Sequence, residues 1–432
     1  MVTHENDRSV RIAVSMAIAC IAMIASTPAS HAEQAGISTL EQLVSLATQE
    51  NPHVQAARER WTSASHQIKQ NYVPTDPMFT YMNVDSRGFP LYKTSLHTVQ
   101  IAQPLQFPGK GLLQGDQATR AAHIARLAYE AAVRDVRAQV EVAYYQHALD
   151  LQLGGITAAQ TAILRQVEQV TSIGYQSSQV TQADFIAAHL AVITTDQQVR
   201  TYKLNVENDL TQLNMLTYRR PDEPLVVDKN LELKPVKLSI DELIERATNT
   251  RQEILQAALS ERSAQTAATL AHMEYLPDYT ITYFFDDYLL PSGAPAPSRT
   301  EDHSIMLAFN VPIYFWWHQR EDVQKSLHDL AAARHDLGSI RNETAAAVTT
   351  LYRTALFDSQ QAALYRNSLI PIARQGFQVS LVAYQTGKLN FAQLQNSYQQ
   401  LYGLQVAELQ FDNQYLAQRV ALEQTIGAPL PQ

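Results

Sequence analysis

Hydrophobic residues along this chain follow two rhythms. Val323, Leu327, Leu330, Leu337, Ile340, Val348 and Leu351 step mostly by three, four or seven, with polar residues between them. That spacing lines one face of a helix. Pro371 is the one proline between His318 and Ala383, so a nearly continuous rod of about 65 residues is predicted, roughly 100 Å long. Leu112 to Ser172 predicts a second rod, with Gly154-Gly155 as its weak point or bend. Helices over about Val180–Thr217 and Leu389–Ile426 return from the two rods.

The second rhythm has period two. Thr98-Val99-Gln100-Ile101-Ala102-Gln103 alternates, and Tyr279, Ile281, Tyr283 and Phe285 share a face. Strands are predicted over Asp76–Asp85, Ser95–Phe107, Tyr279–Leu289 and His303–Tyr314. Turn-rich Ser86–Pro90 and Pro291–Ser298 join them into two hairpins. Strands of about 10 to 13 residues match the length of a tilted strand crossing a bilayer. Aromatic residues gather near the strand ends, in Tyr314-Phe315-Trp316-Trp317 and at Tyr288, Phe89 and Tyr92, as interfacial girdles require.

Start and stop signals frame these elements. Ser38 with Glu41, and Ser239 with Glu242, each read as a capping box. Asn51-Pro52 reads as an N-cap followed by proline at the first helical position. Pro74 and Pro277 end the helices that precede the strands.

The whole order occurs twice. Ser38-Thr39-Leu40-Glu41-Gln42-Leu43 is answered by Ser239-Ile240-Asp241-Glu242-Leu243, and Tyr72-Val73-Pro74 by Tyr275-Leu276-Pro277. Phe79-Thr80-Tyr81 pairs with Ile281-Thr282-Tyr283, and Ile101–Leu105 with Phe309–Ile313. Tyr175–Val180 pairs with Tyr384–Leu389. The offsets drift only from 201 to 209. A repeat this long means one structural unit used twice. The divisions predicted are a first repeat at 33–217, a proline-containing linker at 218–238 lying against the helices, a second repeat at 239–427 and a tail at 428–432.

Composition narrows the class. Gly is only 14 of 432 residues, which favours long helices over a turn-rich β protein. A net charge of −9 argues against nucleic acid as partner, since phosphate binding needs a basic face. Arg8 and Arg11 before the apolar Ile12–Ser26, with Ser30-His31-Ala32 following, read as a signal peptide over 1–32. The one cysteine, Cys20, lies inside that apolar run. Acylation of Cys20 is the lesser reading because apolar residues continue through Ile24. Cleavage after Ala32 leaves a mature chain without disulfides or thiolate metal sites.

Four strands cannot close on themselves, and an open sheet edge cannot face lipid. Three chains supply twelve strands, enough for a barrel with a water-filled interior. The fold class predicted is therefore mainly α with a membrane β-barrel portion, completed in a homotrimer.

Two copies of helix, β-hairpin, long helix, a Tyr-x-x-Gly turn and a returning helix resemble the TolC family of outer-membrane channels, from Ser38 to Gly427. The resemblance implies an outer-membrane location and a helical tunnel through the periplasm. It also implies partners: a periplasmic adaptor and an inner-membrane pump that drives small molecules, drugs or metal ions, through the duct. No cofactor is implied, and no residue cluster reads as catalytic. In the family the turns lie at the periplasmic tips where the adaptor docks. They map onto Tyr175, Ser178 and Val180, and onto Tyr384, Gly387 and Leu389. Ser178 departs from the family's glycine, which predicts a differently shaped first turn. The family's constriction maps onto Asp184, Gln393 and Asn396, with two neutral amides where acids are usual. Asp184 fits equally as a helix-start residue favoured by the macrodipole.

His328 and His335, and His123, His147 and His189, lie on predicted helices without the close pairing of a metal site. They read as scattered solvated side chains. The alternative to a channel is a soluble coiled-coil adaptor or structural protein of the periplasm. Such an adaptor normally has one helical hairpin with flanking lipoyl-like and β-barrel segments, whereas this chain has two hairpins and no such flanks.

Overall fold

The computed structural model describes residues 39–84, 96–227, 231, 233–289 and 299–431. The predicted signal peptide with Cys20, the hairpin loops, and Phe89 and Tyr92 lie outside these residues.

Helix α1 spans Leu40–Glu50 and α2 spans Pro52–Tyr72. The first cap is Thr39, paired with Gln42, one residue on from the predicted pair of Ser38 and Glu41; Ser38 lies outside the described residues. The β-branched Thr39 readily takes the extended backbone an N-cap needs, which leaves Leu40 to open the helix against the core. Asn51 caps α2 ahead of Pro52 as predicted, and its amide also donates to the Leu216 carbonyl at 3.0 Å. In the second repeat, Ser239 and Glu242 form the predicted box before α5, Ile240–Thr250. Helix α6, Gln252–Met273, follows directly.

Strands β1 (Met78–Val84), β2 (Leu96–Leu105), β3 (Tyr279–Leu289) and β4 (Arg299–Phe309) form one antiparallel sheet in that order. β4 runs Arg299–Phe309 and not His303–Tyr314. Its register is set by β3, with Leu289 opposite Arg299 and Tyr279 opposite Phe309. Pro312 has no N–H to offer a ladder, and the Asn310 N–H closes the end on the Asp278 carbonyl. Tyr314–Trp317 therefore form an exposed turn after the strand.

Cross-strand partners share a face, and the two faces differ. One carries rows such as Phe79–Ile101–Tyr283–Ile305, with Ile281 and Leu307 beside it. The other carries Thr80–Gln100–Phe284–Ser304 and Met82–Thr98–Asp286–Asp302. The apolar row is largely bare in the single chain, Ile305 being 78% exposed and Phe79 66%.

The rods are long helices. α3 (Lys110–Gln176) runs 67 residues without interruption through Gly154-Gly155, roughly 100 Å. The helix carries both glycines through without a break: a Cβ at Gly154 would make only ordinary contact with Tyr202 of the returning helix at 3.5 Å, and one at Gly155 would meet nothing within 4 Å. The returning helix is α4, Gln182–Leu216. In the second repeat, α7 (Gln319–Leu364) passes through a π-helical turn at Tyr365–Leu369 into α8, Ile370–Gln385. The turn stands immediately before Pro371, where the missing N–H and the bulky ring disturb α-helical pairing. α9, Phe391–Ile426, returns.

α3 packs against α2, α4, α6 and α9, and α7 against α6 and α9, so the two repeats share one body. The core at mid-height gathers Leu43, Val54, Val140, Tyr144 and Leu213. Leu225 and Val227 of the linker pack on the same cluster, and Tyr415 donates to the Lys234 carbonyl at 2.5 Å, so the linker straps the helices. Sheet and rods are joined at Lys110. It is 2% exposed, and its ammonium reaches Asp278 Oδ1 at 3.0 Å and the Leu276 carbonyl at 3.3 Å. The same Asp278 oxygen accepts from the Phe107 N–H at 2.8 Å.

Candidate functional site

The candidate site is the far end of the two helical hairpins. α3 ends in a turn at Ser177–Val180, and α8 in one at Thr386–Leu389. Both are Schellman motifs. The Gln179 N–H bonds back to the Gly174 carbonyl at 2.7 Å, and the Lys388 N–H to the Ala383 carbonyl at 2.9 Å. Gly387 holds φ +69°, and Ser178 holds φ +59°. The first turn therefore has the same shape as the second, contrary to the sequence expectation. The six-to-one hydrogen bond imposes the left-handed conformation on Ser178 at a strain of about 1–2 kcal/mol.

Side chains brace each turn differently. Val180 folds back over Gly174, where an added Cβ would meet its Cγ2 at 2.5 Å. Tyr175 stacks on Phe185 with ring centres 5.9 Å apart. Tyr384 meets Phe391 edge-on at 6.3 Å, and its hydroxyl lies 2.6 Å from the hydroxyl of the buried Thr171 on α3. A second bridge joins Thr157 of α3 to Tyr402 of α9 at 3.0 Å. These hydroxyl pairs tie the two hairpins together, around an apolar cluster of Leu164, Val167, Ala188, Phe391 and Leu394. Sequence reasoning missed both pairs. Their members are separated by 213 and 245 residues, and a single threonine or tyrosine carries no pairing signal.

Tyr175, Ser178 and Gly387 are exposed, while Val180, Tyr384 and Leu389 are half-buried. Asp184 and Gln393 occupy equivalent positions and do the same local work. The Asp184 N–H donates to Thr181 Oγ1 at 3.2 Å, and the Thr181 hydroxyl donates to the Asp184 carboxylate at 2.8 Å. The Gln393 N–H donates to Asn390 Oδ1 at 2.9 Å, and Gln393 Oε1 accepts from the Asn390 N–H at 3.4 Å. Asn396 is exposed three residues further on, along the side of α9 that carries Gln393. All three residues lie within two turns of a tip.

The histidines divide. His123, His189, His328 and His335 are exposed, and His189 pairs with Glu168 at 2.5 Å. His147 is buried, because it faces inward on α3 towards the backbone of Val206 on α4. Burial lowers its pKa, which keeps the ring neutral. Among the described residues no group of three or more metal-binding side chains comes together. No helix among them is long and apolar enough to cross a membrane.

Comparison with known proteins gives one consistent picture. The family model described as outer membrane efflux protein matches residues 43–217 and 243–428, one match per repeat. The cobalt-zinc-cadmium resistance protein CzcC of Cupriavidus metallidurans is 19% identical over 402 residues, 91% of each chain. Among solved structures, the outer-membrane channel OprN superposes with a TM-score of 0.75 at 15% identity, over 90% of both chains. VceC of Vibrio cholerae gives 0.75 at 14% identity, over 91% of this chain and 97% of its own. The open MtrE channel of Neisseria gonorrhoeae gives 0.74 at 14%, over 90% and 89%.

Proposed function

This chain belongs to the outer membrane efflux protein family, and we propose that three copies of it close a twelve-stranded barrel over a periplasmic tunnel of long helices. It is an outer-membrane efflux channel protein, and the soluble-adaptor alternative gains no support. The observation that carries the proposal is the four-stranded sheet. β1 and β4 each have one neighbour, so two edges stand open, and unpaired backbone groups in lipid cost several kcal/mol apiece. Over the rows from Phe79–Ile305 to Ile281–Leu307 one face is apolar, while the other mixes polar rows with Met78–Ala102–Thr282–Met306; an apolar band on one face suits a wall between lipid and a water-filled lumen.

The hairpin tips are the docking points for a periplasmic adaptor, through Tyr175, Ser178, Val180, Tyr384, Gly387 and Leu389. Asp184, Gln393 and Asn396 narrow the duct just behind them. With two of the three positions neutral, size and hydrogen bonding set the constriction, and Asp184 supplies its charge. An inner-membrane pump chooses the cargo and supplies the energy. The similarity to CzcC favours divalent metal ions, with organic drugs as the other class. Deleting the gene and restoring it on a plasmid tests this reading. Loss and recovery of resistance to zinc, cobalt or cadmium salts supports metal export, and unchanged tolerance to metals and drugs alike refutes efflux.

A further inference from the structure

Behind the tips, α4 and α9 border a groove over α3 of about 570 Å³, the size of a site for a drug-sized molecule. Thr157, Gln160 and Leu164 of α3 form its buried floor. One wall runs from Ala187 to Tyr202 on α4, about 22 Å at the helical rise, and the other from Gln395 to Val406 on α9. Ala187, Ala191 and Gln198 follow Asp184 by three, seven and fourteen residues, and Gln399 and Gly403 follow Asn396 by three and seven. Such steps keep side chains on one helix face. The groove therefore opens on the faces of α4 and α9 that carry the candidate constriction, and it starts about one turn behind it.

None of the side chains lining the groove is ionic or an imidazole, so it lacks the charged and imidazole ligands with which proteins hold divalent metal ions. Leu164, Leu190 and Val406 supply apolar surface, and Tyr202 and Tyr402 supply rings. The threonine protons are engaged within their own helices. Thr157 donates to the Leu153 carbonyl at 2.6 Å, Thr194 to that of Leu190 at 2.8 Å and Thr195 to that of Ala191 at 2.7 Å. Towards a ligand these hydroxyls can only accept. Tyr398 is different. It is 8% exposed and backed by Phe377 with ring centres 5.9 Å apart, and its buried hydroxyl has no partner. A buried hydroxyl without a hydrogen bond is unfavourable, and a molecule seated in the groove supplies the missing partner.

We propose that this groove is a cargo-binding site in the tunnel wall, taking neutral organic molecules with an aromatic or other apolar body and a polar group that hydrogen-bonds Tyr398. The size of the groove, its lack of charge and its unpaired hydroxyl together set that class. The proposal rests on the channel reading for the word cargo, because in that reading the faces of Asp184 and Asn396 line the duct and a molecule in transit passes the groove. On those faces the groove meets the passing cargo and not the next copy of the chain. Binding itself needs no transport, so it is measured apart from efflux.

The test uses the full-length protein assembled in lipid and 4-hydroxybenzophenone, a neutral photolabel with one phenol, with labelled residues mapped by mass spectrometry. Wild type should label saturably on the two walls, within residues 187–202 and 395–406. A Cβ at Gly403 would meet no atom within 4 Å, so Gly403→Trp fills the groove without displacing backbone and should abolish this labelling. Tyr398→Phe removes one hydrogen bond and should raise the concentration for half-saturation about 5-fold. Labelling that does not saturate, that falls outside the walls, or that either variant leaves unchanged overturns the proposal. Should Gly403→Trp not assemble, Tyr398→Phe, which removes a single oxygen, decides alone. Membrane trimers that confer resistance but take no label refute the groove and leave the channel standing, whereas a soluble monomer refutes the channel.

Discussion

Replacing Gly387 with valine separates a docking tip from a mere connector. Gly387 sits at φ +69°, and an added Cβ meets no atom within 4 Å. The penalty is therefore conformational and free of clashes. A β-branched residue in the left-handed region costs about 1–2 kcal/mol, offset by roughly 0.4–1 kcal/mol from a stiffer unfolded chain. A net cost of about 1 kcal/mol is small for a body with this much buried helix surface, so the protein should still assemble in the membrane. At the turn itself, 1.4 kcal/mol is a factor of about 10 in populations, so the native tip gives way to other conformers in an appreciable fraction of subunits. The assay compares membrane-fraction trimers, cross-linking to the adaptor, and metal or drug resistance. Resistance and cross-linking should fall while trimers persist. Full resistance with valine in place would reduce the tip to a connection between helices. Ser178→Gly is the matching control: it relieves the strain at φ +59° and should stabilise by about 0.5–1 kcal/mol without loss of docking.

Three further outcomes follow from other parts of the fold. Lys110→Met removes the ammonium that ties the sheet to α3, and should cost about 1.5–3 kcal/mol, read as earlier thermal unfolding; Asp278 is 38% exposed and so keeps some solvation. Burial opposes the Glu253 carboxylate, yet hydrogen bonds from Arg134 hold its pKa at about 2. Its stabilisation is therefore complete above about pH 4.5 and lost as pH falls towards 2, and Glu253→Gln should flatten that acid limb of the unfolding curve. Asp184→Ala should weaken divalent-cation block of single channels; unchanged block would leave Asp184 as the capping partner of Thr181 alone.

The sequence made local features legible and long-range ones not. The capping box at Ser239, the N-cap at Asn51-Pro52, the alternation in β2 and β3, and the long α3 and α7 each rest on residues a few positions apart. They survived folding with small shifts in their ends. The errors arose where distant partners decide. β3 sets the limits of β4, so a pattern read along residues 303–314 alone placed it too late. Gly154-Gly155 looked like a break, yet the packed α3 runs straight through both. Ser178 carries no sign that its turn forces a positive φ. At the tips, the repeat aligned the two turn segments with each other, and the family resemblance singled out the six candidate residues within them. The Thr171–Tyr384 and Thr157–Tyr402 bridges depend on how one repeat lies against the other, which no single segment encodes.

The central claim is that β1 of one copy pairs with β4 of the next. Within a single chain these strands are three spacings apart, about 14 Å at 4.8 Å each, which is beyond the reach of a disulfide. The one native cysteine, Cys20, lies in the predicted signal peptide, so cysteine pairs introduced along the two edges, around Thr80 and Ser304, report only contacts between copies. The account predicts at least one pair that yields covalent trimers in the outer-membrane fraction. Monomers for every pair along both edges, or a protein found only in the soluble periplasm, would contradict it.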